Sequence, residues 1–497
     1  MGKATGSQGL GSLASGAVTA LAIAVQSGLA AVVGVIIARE LGRTAETDGF
    51  FAAYGVFIVL TLAATAVRVT LLPSLARARS QRRLASETAA YAVSVGIIAL
   101  PLLVVGLVAA RPIADVLTGS GPDVAIDAAA AALPWMIVAG IGQFTAGILA
   151  STLAALDDYV VPALGYVVGS VCGLALILTR IDENGTDAVA WGMALNATIA
   201  TLIPAAWLAV RARREQMPRG AARADTDGTG RRLVHLATGA ALPFALQAIY
   251  VVCLPLAARE GVGSVTSFGY AYLFAAALVG ISASSLGLVT AVPLTRAGLD
   301  PAGVTRHVEA SSWLALLVVC ASSGIFAVAG ADVMERVLGS QYGDDVGEEI
   351  GRLVLAMGPY MVASIGLSVT FPLLFVAGRS SRLPLVGLCV LLAHVPIAVA
   401  GQQLAGLYGL ALALAVSTGL AFAWMLHILG ALEATLRRLA VAVLVVAGSA
   451  ALGFVPADAL LGPAWAAVAG LVLAAAFILL TRPPGLTFAW RYLRELA

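Results

Sequence analysis

The chain has 497 residues, of which 60% are apolar and only 11% charged, with a formal net charge of +2. Soluble domains carry roughly 25% charged residues, so this balance excludes a water-soluble fold and marks a polytopic membrane protein. Lys3 is the one lysine, which excludes both a Walker A sequence, with its Gly-Lys-Ser/Thr, and an internal Schiff-base lysine.

Apolar runs long enough to cross a bilayer fall at 10–38, 49–73, 88–110, 127–153, 158–179, 189–210, 233–258, 264–292, 310–330, 351–376, 382–402, 405–429, 439–456 and 462–481. The fold class read from them is an all-α polytopic membrane protein of about 14 transmembrane helices. The first run is too long for a signal-peptide core and is read as a retained helix. Short loops rich in Lys and Arg stay in the cytoplasm. With both ends inside, 21 of the 29 basic residues fall on the inner side, so both termini are predicted cytoplasmic. The longest inner loop, 211–232, mixes arginine with Gly, Pro and Asp and has no apolar period. It reads as a linker, with docking of anionic lipid or of a partner protein as the alternative.

The chain repeats itself. At an offset of 220, Ala38-Arg39-Glu40 falls on Ala258-Arg259-Glu260, Gly49 on Gly269, Val59 on Val279, Ala63 on Ala283, and Val69-Thr70-x-x-Pro73 on Val289-Thr290-x-x-Pro293. A weaker match at 222 pairs Pro162 with Pro384 and Gly165 with Gly387. Six helices separate the copies, an even number, so both copies point the same way through the membrane. Such parallel repeats place a substrate path between the halves near the midplane. The predicted organisation is an N-lobe over 1–210, a linker over 211–232, a C-lobe over 233–430, and two final helices with a cytoplasmic tail over 431–497.

The stretch 38–78 resembles the first two helices of the multidrug/oligosaccharidyl-lipid/polysaccharide exporter superfamily, and within it the MurJ-type (MviN-like) lipid II flippases. Ala38-Arg39, Gly42, Thr47-Asp48-x-Phe50-Phe51-x-Ala53 and Pro73-x-Leu75-Ala76 carry it. The resemblance implies movement of an undecaprenyl-linked sugar pyrophosphate between leaflets through a cavity that opens to each side in turn. Lipid II flippases also carry a Ser-Arg-x-x-Gly-x-x-Arg-Asp stretch in helix 1, and arginines midway along helix 2 and in helix 8. Here the corresponding positions read AIAVQSGLAAVVG, Leu60-Thr61-Leu62 and the uncharged run 264–292.

Away from the span ends, Arg68 is the one charge within a span. Intramembrane charges are costly and mark function by default, here contact with a lipid-linked phosphate. Its place five residues before Pro73, about 7.5 Å from the inner end of the span, also allows snorkelling. Gln26 and Gln247, polar groups in apolar spans, are candidates for substrate binding or for helix–helix bonding, as are Gln143 and Asn196. Arg39-Glu40 and Arg259-Glu260 end helices 1 and 7 on the outer side. They would form a two-fold outer gate by pairing crosswise, or remain solvated at the interface. Gly165, Gly169 and Gly173 form a small-residue stripe read as a packing device, and His394 reads as a hydrogen-bonded structural histidine rather than a proton relay.

These residues bear on four functions. A flippase for a peptidoglycan precursor or related lipid-linked oligosaccharide comes first. A drug or cation exporter of the same superfamily would need acidic groups within the spans. A membrane glycosyltransferase would rest on Glu46 and Asp48 as a metal site, and a non-transporting scaffold would add cell-envelope synthesis enzymes as partners. The reading adopted is a non-enzymatic monomer without cofactor or metal. It sits in a bacterial cytoplasmic membrane, with a lipid-linked sugar pyrophosphate and membrane lipids as partners and no nucleic acid.

Overall fold

The computed structural model describes residues 25–214, 228–297 and 300–496. At some helical positions, among them 65–70, 72–73 and 283–297, it describes the backbone only. Every regular element is helical among the described residues. Helix α1 covers 25–36 and loosens into a π-turn, Ile37–Leu41. Then come α2 (Ala45–Ser80), α3 (Leu84–Val108), α4 (Ala110–Leu117), α5 (Asp123–Ala155), α6 (Val160–Arg214) and α7 (Thr229–Ala257). The second half holds α8 (Ser264–Ala297), α9 (Pro301–Leu338), α10 (Asp344–Ala356), α11 (Gly358–Val376), α12 (Leu383–Leu429), α13 (Leu432–Leu460), α14 (Pro463–Thr481) and α15 (Pro484–Leu496).

Eleven described helices are long and apolar enough to cross a membrane, and the protein is a multi-pass membrane protein. Two of the eleven, over 160–213 and 380–429, run to 54 and 50 residues. At 1.5 Å per residue each would be about 75–80 Å long, far beyond a hydrocarbon core of about 30 Å. Each is a hairpin of two spans. Helix α6 breaks at Gly185 (φ 50°, ψ −128°), and α12 breaks at Ala405 and Gly406 (φ 54°, ψ −132° at the glycine). The arms then fold back and touch through small residues, Gly173 on Gly192 and Gly401 on Gly409. Counted this way the eleven become thirteen spans. The first half of the expected first span, 10–38, lies outside the described residues.

The internal repeat extends into backbone geometry. Ala109 and Ala329 both interrupt helices, at φ −111° and −133° with ψ 23° in each. Gly119 and Gly339 have φ of 62° and 107°, and Asp157 and Gly378 have φ of 62° and 66°. These pairs stand 220, 220 and 221 positions apart, and Gly185 and Gly406 stand 221 apart. The structural offset is therefore 221 on both sides of Pro162 and Gly165, and their match to Pro384 and Gly387 at 222 is one residue out of register. The repeated Ala-Arg-Glu ends a helix in a non-α turn in both copies, the π-turn Ile37–Leu41 and the 3-10 turn Ala258–Glu260.

Two other elements differ from the sequence expectation. The run 351–376 is continuous in apolarity, yet α10 ends at Ala356 and a new helix begins at Gly358. Only α11 is a spanning segment, while α10, with Asp344 and Asp345 in its first turn, is amphipathic. The tail beyond residue 482, for which the sequence analysis named no helix, forms α15, an amphipathic helix packed on α9.

By packing, the chain falls into two compact units, Met1–Pro255 and Leu256–Ala497. The sequence placed the boundary earlier, in 211–232. In the first unit α5 touches α2, α3, α4 and α6. Helix α7 also belongs there: Leu236 joins a core with Leu71, Leu75, Leu84, Tyr91 and Leu153, and Leu254 lies against Gly55. In the second unit α9 touches α8, α10, α11, α13, α14 and α15. Lipid-facing surface is plain on α14, where 17% of the apolar window is buried and the rest is left for acyl chains.

Candidate functional site

Helix α2 begins with a reciprocal cap. The Thr47 amide donates to Thr44 Oγ1 at 3.3 Å, and the Thr44 amide donates to Thr47 Oγ1 at 2.8 Å. Phe50 and Phe51, one turn on, are each 1% exposed. The Thr47-Asp48-x-Phe50-Phe51 pattern is thus a helix start with its anchoring aromatics. Glu46 lies beside the cap and faces the break in α6. Its Oε1 accepts from the Thr186 amide at 3.1 Å and from the Thr186 hydroxyl at 2.9 Å. Burial, reinforced by the Glu46 charge, raises the pKa of the neighbouring Asp187 carboxyl. This arrangement makes Glu46 a structural acceptor at the turn between two spans, so the Glu46/Asp48 metal site of the glycosyltransferase reading has no geometric support.

The second unit repeats the arrangement with different residues. Glu260 Oε1 accepts from the Gln402 side-chain Nε2 at 2.7 Å, and Glu260 Oε2 lies 3.0 Å from where a β-carbon on Gly406 would be. In the first unit Glu46 Oε1 lies 2.6 Å from the corresponding point on Gly185. A carboxylate thus braces the glycine break of each hairpin. Sequence reasoning missed Thr186, Gln402 and the two glycines; the traces they leave in the chain are Asn184-Gly185-Thr186-Asp187 and a lone Gly406 between apolar runs.

The expected site residues are distributed as follows. Arg39 and Glu40 are exposed at the end of α1, and Arg259 and Glu260 are exposed at the end of α7. Gln26 is half-buried in α1, and Gln247 is half-buried in α7, where it is engaged by other groups. The Arg68 backbone lies within α2, and its side chain is outside the described residues. Gln143 is 8% exposed in α5. Gly165, Gly169 and Gly173 press on Pro204, Asn196 and Gly192 of the opposite α6 arm, the packing role expected of them. His394 is fully buried, with Nδ1 2.8 Å from Ser417 Oγ across the α12 hairpin.

At the opposite ends of the first-unit helices, acidic side chains collect arginines. Arg79 donates to Asp157 at 2.6 Å and to the Ala155 carbonyl at 2.7 Å. Asp158 accepts from Trp207 Nε1 at 2.8 Å and faces Arg211 at 3.8 Å. Arg232 grips Glu87 with two bonds, at 3.1 and 2.9 Å, and stacks over Tyr91. Arginines that the sequence offers as topology signals therefore also tie α2 and α6 to the turn between α5 and α6, and α7 to α3.

No family model matches the sequence, and no curated protein matches it significantly. Solved structures do match. The lipid II flippase MurJ in an inward closed conformation aligns over 96% of this chain and 99% of its own, with a TM-score of 0.71 and 13% identity. A MOP superfamily transporter from Pyrococcus furiosus aligns over 84% of this chain and 94% of its own, with a TM-score of 0.58 and 15% identity. An inward-facing multidrug resistance MATE family transporter aligns over 82% of this chain and 99% of its own, with a TM-score of 0.56 and 16% identity. The chain has the all-α fold that these transporters share, and the resemblance read from 38–78 holds at the level of that fold.

Proposed function

We propose that the protein is a flippase that moves an undecaprenyl-linked sugar pyrophosphate, a peptidoglycan precursor or a related lipid-linked oligosaccharide, from the inner to the outer leaflet. The observation that carries this reading is the extent of the likeness to MurJ, 96% of this chain. The multidrug MATE match stops at 82%, whereas the flippase likeness takes in chain beyond the first twelve spans. The repeat supports two lobes, 1–210 and 233–430, working by alternating access, with 431–497 appended. The membrane is a bacterial cytoplasmic membrane, both termini face the cytoplasm, and the protein acts as a monomer.

In this reading Arg68 binds the diphosphate by charge-assisted hydrogen bonds, while Gln26 and Gln247 bond the sugar or phosphate oxygens. Arg39, Glu40, Arg259 and Glu260 form the outer gate. The membrane potential, about 2.3 kcal/mol per charge per 100 mV, is sufficient to drive an anionic headgroup outward. The test is reconstitution in vesicles holding a labelled undecaprenyl-pyrophosphate sugar, comparing wild type with Arg68→Ala. Transfer of label by wild type and its loss in the variant support the reading. Equal transfer by both removes Arg68 from the path.

A further inference from the structure

The second unit contains a cavity of about 540 Å³ between α9, α13 and the start of α15. It has a charged end and an apolar end. At the first stand Arg437, Arg438 and Glu309; along the second run Val441 and Val445, one and two turns further down α13. Pro483, Pro484 and Gly485 close one side, and Trp313 forms the floor.

The charges do not cancel. Glu309, whose side chain is 13% exposed, takes Arg438 Nη1 at 2.5 Å, so Arg438 is neutralised. Arg437 has no ion-pair partner among the described residues and is exposed at the mouth. Trp313 is 3% exposed, and its indole N–H has no hydrogen-bond acceptor among the described residues. The wall beside it is close: a β-carbon on Gly485 would lie 2.2 Å from Trp313 Nε1, so the backbone at the start of α15 shapes the cavity floor.

From this geometry we infer that the cavity is a binding site for one anionic phospholipid, its phosphate on Arg437 and its acyl chain along Val441 and Val445. An arginine at the mouth of the cavity that no carboxylate among the described residues neutralises calls for an anionic acceptor. The apolar strip on the same face of α13 calls for a hydrocarbon tail, since arginine and valine at these positions lie one above the other on the helix. The lipid would hold α15 against α9. Helix α15 already touches α9 through Tyr492 Oη, 3.5 Å from His307 Nδ1, and carries the 57% exposed Trp490 beneath Arg494, an interfacial arrangement. This site lies within one packing unit and is independent of the flippase reading.

The experiment uses the full chain in a neutral detergent, with native mass spectrometry and thermal melting against three probes: phosphatidylglycerol, phosphatidylcholine and inorganic phosphate. Phosphatidylglycerol is expected to give a one-to-one adduct and to raise Tm, with the other two probes ineffective. Arg437→Gln is expected to weaken the phosphatidylglycerol adduct about tenfold, the loss of one charge-assisted contact. Arg491→Gln removes the same charge from α15 outside the cavity and is expected to leave the adduct unchanged. Circular dichroism confirms that both variants are folded. A lipid brominated on its acyl chain is expected to quench fluorescence that is missing in Trp313→Phe. Equal binding of the two lipids, equal weakening by both arginine variants, quenching that persists unchanged in Trp313→Phe, or the same Tm rise from inorganic phosphate alone would each overturn the inference.

Discussion

Gly185 and Gly406 stand 221 positions apart and turn the chain with nearly the same backbone angles, φ 50° and ψ −128° against φ 54° and ψ −132°. Each carries a glutamate carboxylate against the space where a side chain would be, Glu46 in one case and Glu260 in the other. The carboxylates come from non-equivalent sequence positions. What the repeat conserves here is the turn together with an acceptor beside it.

The conformation at both glycines is one that L side chains rarely adopt, and the added carbon would meet an oxygen at 2.6 or 3.0 Å. Gly185→Ala and Gly406→Ala are each expected to cost about 1–3 kcal/mol. Thermal melts in detergent check this, and wild-type melting in both variants would contradict the reading of these turns.

Thr186 gives Glu46 two hydrogen bonds, one from its amide and one from its hydroxyl. Thr186→Val keeps the amide and the shape, and is expected to lose about 1 kcal/mol. The neighbouring Asp187 carboxyl has a raised pKa from burial and from the Glu46 charge. It binds its proton more tightly in the folded state, so its contribution favours folding below the ordinary carboxylate value and is lost as pH rises through the raised value. Asp187→Asn is therefore expected to raise Tm at pH 7 and to lose that advantage in acid. The reverse pH trend would sink this account of the turn.

Glu87 and Arg232 form a two-bond ion pair with side chains 24% and 14% exposed, which fastens the start of α7 to α3. Glu87→Gln is expected to cost about 1 kcal/mol, within the range for partly screened pairs with good geometry. Reversing both charges, Glu87→Arg with Arg232→Glu, is expected to recover part of the loss of either single reversal. A double-mutant cycle with zero coupling would contradict the fastening.

The proposed outer gate is tested by charge reversal. Arg39→Glu or Glu260→Arg alone should impair transport, and the two together should restore it. Failure of the double variant to recover would leave these residues as solvated interfacial charges, with Glu260 serving only Gln402 and the turn at Gly406.

Much of the fold is legible in the sequence because bilayer crossing is a property of single segments, readable from length and apolarity. The Ala-Arg-Glu repeat is legible because the same three residues end a helix in a non-α turn in both copies. The break at Met357 between α10 and α11 is not, since apolarity runs through it and tertiary packing sets the helix end. Nor is α15, whose helical period is hidden in a short charged tail. The carboxylate braces at Gly185 and Gly406 join residues 139 and 146 positions apart in the chain, so no local pattern announces them. The hydrogen bond of His394 was expected because a buried polar ring in an apolar span needs partners, and Ser417 across the hairpin is one of them.

The most direct test of the central claim is the time course of leaflet transfer in vesicles containing only this protein. A labelled undecaprenyl-pyrophosphate sugar is followed by its accessibility to an external reagent, beside vesicles loaded with a cationic drug. The account predicts that the lipid-linked sugar crosses at a rate proportional to protein content while the drug is retained. Drug efflux with no lipid transfer would contradict it and assign the fold to export of cations.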